Sequence, residues 1–175
     1  WVLQFKDGIK SNSQIKMEKA EADEAVGYCK AEVGKIVSML KGYESDLERV
    51  VRAHDLICDN FTYDTTLESN NIYSFLKTKK GTCQGYTWTY MAVLRELGID
   101  CRYVASDRIA HIWLMVKIDG EWYHSDATWD DPPSAEGSGR KSRVHLLFSD
   151  EKADNDGYTN RYGAENIECQ SKLYD

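Results

Sequence analysis

Three residues far apart in the chain, Cys83, His111 and Asp126, carry the side chains that covalent acyl transfer needs: a nucleophile, a base and a group to orient the base. The first lies in Gly81-Thr82-Cys83-Gln84-Gly85-Tyr86, which reads as a tight turn delivering a cysteine to the first turn of a helix. Thr82 suits an N-cap, and Cys83, Tyr86, Tyr90, Val93, Leu94 and Leu97 recur at helical spacing until Gly98 stops the run. A thiol placed there sits among unpaired backbone N–H groups at the positive end of the macrodipole, a setting that favours thiolate. The plainer reading, a small residue buried at a helix start, is the commoner fate of a lone cysteine.

The other two residues belong to one hairpin. His111 to Ile118 and Glu121 to Asp126 are extended runs separated by Asp119-Gly120, the signal for a two-residue type I′ turn. Ile118 then faces Glu121, Asp126 falls opposite Trp113, and His111 falls opposite Thr128 if pairing continues that far. His111 and Asp126 consequently project from one face as diagonal neighbours, a gap that an imidazole and a carboxylate can close. Ile112, Leu114, Val116 and Ile118 line the other face as a core row. The His111 face, with Trp113 and Met115, is the one expected to receive the Cys83 helix. A lone histidine is usually structural: His54, on or near the apolar side of a helix, and the strand residue His124 are read that way, and His145 alone is weak evidence.

Such a trio has defined roles. Cys83 attacks a carbonyl carbon, His111 pairs with the thiolate and then protonates the leaving amine, and Asp126 fixes the ring's tautomer and stabilises its charged form. The Cys83 backbone N–H is the first candidate donor to the oxyanion. Gln84, Tyr63 and Trp113 are candidates for further oxyanion or substrate contacts.

The elements that must position these residues read as follows. Apolar residues from about Gln14 to Leu40 step at helical spacing, weakened by Gly27 and Gly34. Ser45 and Glu48 form a capping-box pattern ahead of a second helix that carries His54 and ends near Phe61. Phe61 to Asp64 is extended, and Ser69-Asn70-Asn71 caps a short helix through Leu76. Cys101 to Ser106 reads as a strand, Trp129 to Ser142 as an irregular loop bordering a cleft, and Val144 to Phe148 as a last strand. Asp150 to Asp156 fails the spacing of a calcium loop and reads as a solvated acidic loop. The tail from Tyr158 carries no functional signal.

Composition narrows the classes. At 175 residues, 42% hydrophobic and 29% charged, the chain is an ordinary globular composition able to bury a core. A net charge of −7 argues against nucleic acid or an anionic membrane as partner. No apolar run approaches a membrane-spanning length. Five irregularly spaced cysteines make neither a disulfide scaffold nor a zinc pattern, so neither a metal nor another cofactor is expected. The opening at Trp1 reads as a processed or excised piece of a longer protein, with a secreted or cell-surface part among the options. Oligomeric state is not legible.

The runs GTCQGYTWTYMAVLRELGIDCRYVAS and AHIWLMVKIDGEWYHSDATWDDP resemble the core of the transglutaminase-like superfamily: a Cys before a helix, an H-x-W strand, and W-x-x-x-D-x-T. Here these are Gly81, Cys83 and Gly85-Tyr86; His111 and Trp113; and Trp122, Asp126 and Thr128. The resemblance is strong from about Phe61 to Pro132. It implies a papain-like α+β fold, N-terminal helices and a central catalytic helix packed on an antiparallel sheet, with a Cys83–His111–Asp126 triad. The expected organisation is one domain over 1–175, with a helical part to about residue 60, a core to about 150 and a tail. Hydrolysis of a peptide or amide bond in a protein or peptide substrate is the first expectation, and cross-linking transamidation the second. A catalytically silent domain, binding peptide or glycan along Trp88, Trp113, Trp122 or Trp129, is a third, and a zinc site at the trio a fourth.

Overall fold

Ala25, Cys29, Val33, Val37 and Leu40 repeat every three or four residues and form the buried face of α1 (Lys19–Leu40). This is seen in a computed structural model that describes residues 19–133, 142–164 and 166–175. The expected start of this helix near Gln14 and the middle of the 129–142 loop lie outside the described residues. Gly27 and Gly34 sit on the exposed side of α1 and leave it continuous. Ser45 and Glu48 make both bonds of a capping box at the start of α2 (Asp46–Asn60). Beyond it, β1 (Thr62–Tyr63) pairs in parallel with β2 (Lys80–Gly81), and α3 (Ile72–Thr78), capped by Asn71, lies between them in sequence.

α4 (Cys83–Glu96) follows β2 directly. It leads into an antiparallel sheet ordered β3 (Cys101–Ser106), β4 (His111–Ile118), β5 (Glu121–Ser125) and β6 (Leu146–Phe148). The hairpin has the expected register, from Ile118↔Glu121 to Leu114↔Ser125, and Asp119 and Gly120 both take positive φ (52° and 91°), as a type I′ turn requires. Pairing stops at Ser125. Asp126 leaves the ladder, and its N–H donates to the His145 carbonyl at 2.7 Å.

The helix lies on the face opposite to the one expected. Tyr86, Tyr90, Met91, Val93 and Leu94 share a core with Leu114, Val116 and Ile118, together with residues from α1, α2 and α3. The short aliphatic row gives a helix a close seat, whereas the bulkier Trp113 and Met115 on the reverse pack with Val104, Phe148, Ala153, Tyr158 and Cys169. The segment after β6 therefore forms a second covering layer. Within it, the expected acidic loop is in part α5 (Asp150–Asn155), whose N-cap Ser149 accepts from the Lys152 N–H. Asp150 and Glu151 in the first turn complement the helix dipole, whereas Asp154 and Asp156 at its other end are paired with Arg161 and Lys152. The last strand is shorter than expected, and Val144 is exposed ahead of it. Mixed helices with an antiparallel sheet give the α+β class that the sequence implies. No helix among the described residues is long and apolar enough to cross a membrane.

Candidate active site

Cys83 is the first residue of α4, after a Thr82 N-cap in extended conformation. The Thr82 side chain makes no capping bond; its carbonyl instead receives the Gly85 and Tyr86 N–H groups at 2.9 and 3.3 Å. The N–H groups of Cys83 and Gln84 have no backbone partner among the described residues, as expected in a first turn. The turn is held from behind by the Thr82 N–H on the Ser69 carbonyl and the Asp64 N–H on that of Gly81, both at 2.9 Å. Gly85 is required there, because a Cβ would come within 2.6 Å of the Phe75 ring.

His111 enters from the start of β4, beside this helix end. Its Nε2 lies 2.6 Å from Asp126 Oδ2, which leaves Nδ1 for Cys83. The ring is flanked by Trp129 and Trp113, nearly parallel to both, at centroid distances of 5.1 and 5.7 Å. Asp126 is buried. Its Oδ1 accepts from the N–H groups of Thr128 and Trp129 at 2.9 and 3.3 Å, and its Oδ2 also accepts from the Tyr158 hydroxyl at 2.8 Å. Burial pulls the His111 pKa down, but the charge and hydrogen bond of Asp126, helped by the neighbouring Cys83 sulfur, lift it to about 10. For Asp126 burial pushes upward, yet His111, Tyr158 and the backbone donors outweigh it and hold the carboxyl below its ordinary value. Both directions favour the charged His111–Asp126 pair over the neutral one.

Access is one-sided. A cavity of about 260 Å³ is lined by Tyr63, His111, Thr128, Trp129, Pro132 and Pro133. Cys83 is half-buried and Gln84 exposed. Burial, then the charges of Cys83 and Asp64, push the Tyr63 phenol up, and Tyr63 lines the same cavity as His111. Trp113, expected among the ligand contacts, is only 1% exposed and backs the imidazole from below. Its indole N–H donates to His124 Nδ1 at 3.0 Å, and His124 Nε2 faces Asp150 Oδ1 at 3.0 Å. Trp88 packs on Tyr103, and Trp122 lies beneath Arg102 and Lys117, so Trp129 is the member of that expected aromatic set that lines the cavity.

A larger hollow of about 280 Å³ opens around Val104, Met115, Arg161 and Ile167, and no residue of the Cys83 trio lines it. Nearby, His124, Asp150 and Cys169 bring potential metal-ligand atoms within 4.8 Å of one another. The histidine and the carboxylate are already engaged: His124 with Trp113 and Asp150, and Asp150 with the Cys169 N–H and with Arg161 at 3.2 Å. A guanidinium already supplies the cation. All five cysteines are free thiols.

Tyr158 was not foreseen in the sequence. It bonds a carboxylate 32 positions away, a closure that no local spacing announces.

A model of the Transglutaminase-like superfamily matches residues 35–127, more than half of the chain and inclusive of Cys83, His111 and Asp126. Kyphoscoliosis peptidase of mouse is 28% identical over 133 residues, covering 64% of this chain and 20% of that protein. The human protein of that name is 27% identical over 121 residues, covering 57% and 18%. The chain thus matches about a fifth of the length of these relatives. A solved structure described as a TGase superposes with a TM-score of 0.53 at 16% identity, over 70% of this chain and 37% of that one, a likeness of fold. On the extent of the family match, and with a helix-on-antiparallel-sheet architecture to accompany it, the chain belongs to the transglutaminase-like superfamily.

Proposed function

We propose that this chain is a cysteine-dependent acyl-transfer enzyme that hydrolyses peptide or amide bonds through a thioester on Cys83. The observation that carries the reading is the His111 imidazole held between Asp126, at 2.6 Å, and Cys83, at the wall of an open cavity. In the first half-reaction a Cys83 Sγ–carbon bond forms as the carbonyl becomes an oxyanion. The unpaired N–H groups of Cys83 and Gln84 supply the donors for that oxyanion, with the Tyr63 hydroxyl a further candidate. Collapse breaks the C–N bond, and the proton on His111 leaves with the amine. Water then attacks the thioester, gives a proton to His111 and expels Cys83. Throughout, Asp126 keeps the ring in the orientation that both transfers need.

Water as acceptor is supported by the peptidase name of the two mammalian relatives. A primary amine could resolve the same thioester, so the test is a competition. Wild type and Cys83→Ala are incubated with a mixed peptide library, with and without an added primary amine. Cleaved peptides from the wild type alone support hydrolysis. Amine adducts assign transamidation instead, and an unchanged library overturns the enzymatic reading.

A further inference from the structure

Asp126 holds a bond that the acyl-transfer scheme does not use. The Tyr158 hydroxyl donates to Oδ2 at 2.8 Å, the oxygen that also faces His111 Nε2 at 2.6 Å. Tyr158 is fully buried, and its ring packs on Trp129 at 4.2 Å and Trp113 at 4.7 Å, the same two tryptophans that flank His111. The phenol cannot turn away without displacing them. We propose that Tyr158 is a positioning residue of the His111–Asp126 pair, fixing the plane of the carboxylate and sharing the charge of the oxygen that the imidazole faces. The proposal deepens the acyl-transfer reading and rests on it.

The physical argument concerns how tightly a proton is held. A carboxylate oxygen with one partner places its whole pull on the imidazolium, and a proton held too firmly is slow to reach a leaving amine. A second donor on that oxygen disperses the charge and weakens the pull. The groups facing this point are few. Oδ1 is taken by the Thr128 and Trp129 N–H groups, and Cys83 faces the ring from the start of α4. Asp130 and Asp156 are the other charges felt by Tyr158, and the His145 ring lies 6.0 Å from it.

The test compares three forms of the full chain: wild type, Tyr158→Phe, and one in which Tyr158 carries ring fluorines that make its hydroxyl a stronger donor. The readouts are the midpoint of the His111 ring nitrogens in an NMR titration and the split of peptide hydrolysis into kcat and KM. In Tyr158→Phe the midpoint should rise by roughly half to one pH unit and kcat fall by about 3- to 10-fold at constant KM, the scale of one ordinary hydrogen bond. The fluorinated form should move the midpoint the other way. Coincident midpoints in all three forms overturn the proposal. Should the phenylalanine variant not fold, the fluorinated form decides alone, since it keeps both ring and hydroxyl. Wild-type Cys83 alkylation that His111→Asn leaves unchanged would instead remove the acyl-transfer reading, and this inference with it.

Discussion

Cys83, His111 and Asp126 have a counterpart of the same composition in the same protein. Cys58 Sγ lies 4.0 Å from both ring nitrogens of His54, and His54 Nε2 lies 3.1 Å from Asp130 Oδ2. The chemical ingredients match, and the settings do not. Cys58 is buried in the last turns of α2, its thiol donates to the Ala127 carbonyl at 3.4 Å, and burial, only partly countered by His54, raises its pKa. His54 is sealed. Burial works against its charged form, but Asp130 and Asp55 prevail and raise its pKa well above the ordinary value. Cys83 stands half-buried at a helix start whose first N–H groups have no backbone partner among the described residues, and its neighbour His111 lines an open cavity. On the proposed reading, residue type alone does not make a nucleophile; a helix end and an opening are also needed. The sealed grouping has another use. Asp130 lies four positions after Asp126 on one loop, and it also binds the His145 N–H with both oxygens at 3.1 Å, so it pins the segment that presents Asp126 and Trp129.

Substituting each thiol breaks this comparison most sharply. Cys83→Ala should lower peptide turnover on the order of 10³-fold or more, as removal of a nucleophile does. Cys58→Ala should leave turnover within a few-fold and cost about 1 kcal/mol of stability, the order expected for a small buried side chain. Mass-spectrometric mapping of mild alkylation checks the same contrast, with label at Cys83 and none at Cys58. Equal labelling would mean that access does not separate the two groupings.

The next largest effect belongs to the sealed grouping. Asp130→Asn leaves His54 charged or unpaired in the interior, and the loss of one partner from a buried pair costs roughly 3–5 kcal/mol. Denaturant midpoints measure it. Asp126→Asn should cost turnover more than stability, because the opening near His111 admits water to the partner left behind.

How much of this arrangement was legible follows from the range of each interaction. The hairpin register could be read because a two-residue Asp119-Gly120 turn leaves one pairing, and that pairing brings His111 and Asp126 to the same end of the hairpin, although Asp126 itself lies past the last pair and does not face Trp113 in the ladder. The start of α4 and the capping box of α2 were equally local. Which face of the sheet receives α4 was not legible: alternation separates Trp113 and Met115 from Leu114 and Val116, but both sets are apolar. The choice depended on shape against a helix elsewhere in the chain. His54 reads as a structural histidine and His145 as weak evidence, but their meeting on Asp130 was not legible, since it joins α2 to a loop some 75 positions on, beyond the reach of any spacing rule. Tyr158 escaped for the same reason.

The response to pH sharpens the contrast at intermediate scale. The folded pKa of His111, about 10, lies above the ordinary 6.5, so its contribution to stability is fully present below 6.5 and is lost as pH rises towards 10. His54 is raised too and acts in the same direction. Asp126 is held below its ordinary 3.8, so its contribution is present above that value and is lost as pH falls through the folded pKa. These groups place maximal stability between about pH 4 and 6.5. Thermal melts of wild type and His111→Gln should diverge most at the acidic end of that window and converge by about pH 10; a constant gap would mean that the His111 charge contributes nothing.

The smallest effect lies at the rim of the sealed grouping, where Arg143 reaches Asp55 with two nitrogens, at 2.9 and 2.5 Å. The arginine side chain is 55% exposed, so water and salt screen most of the attraction, and Arg143→Ala should cost less than about 1 kcal/mol. Asp55 is not symmetric with its partner. Burial pushes its pKa up, but His54 and then Arg143 bring it down to about 2, and its Oδ1 stands 3.8 Å from His54 Nδ1. Removing Asp55 withdraws a charge from the buried imidazole, whereas removing Arg143 withdraws one from solvent. Asp55→Ala should therefore destabilise more than Arg143→Ala, with a coupling energy in the double mutant that fades in high salt. Equal costs would place the rim and the interior in one electrostatic environment, and the account of why His54 is held while His111 is available would have to be rebuilt on something other than burial.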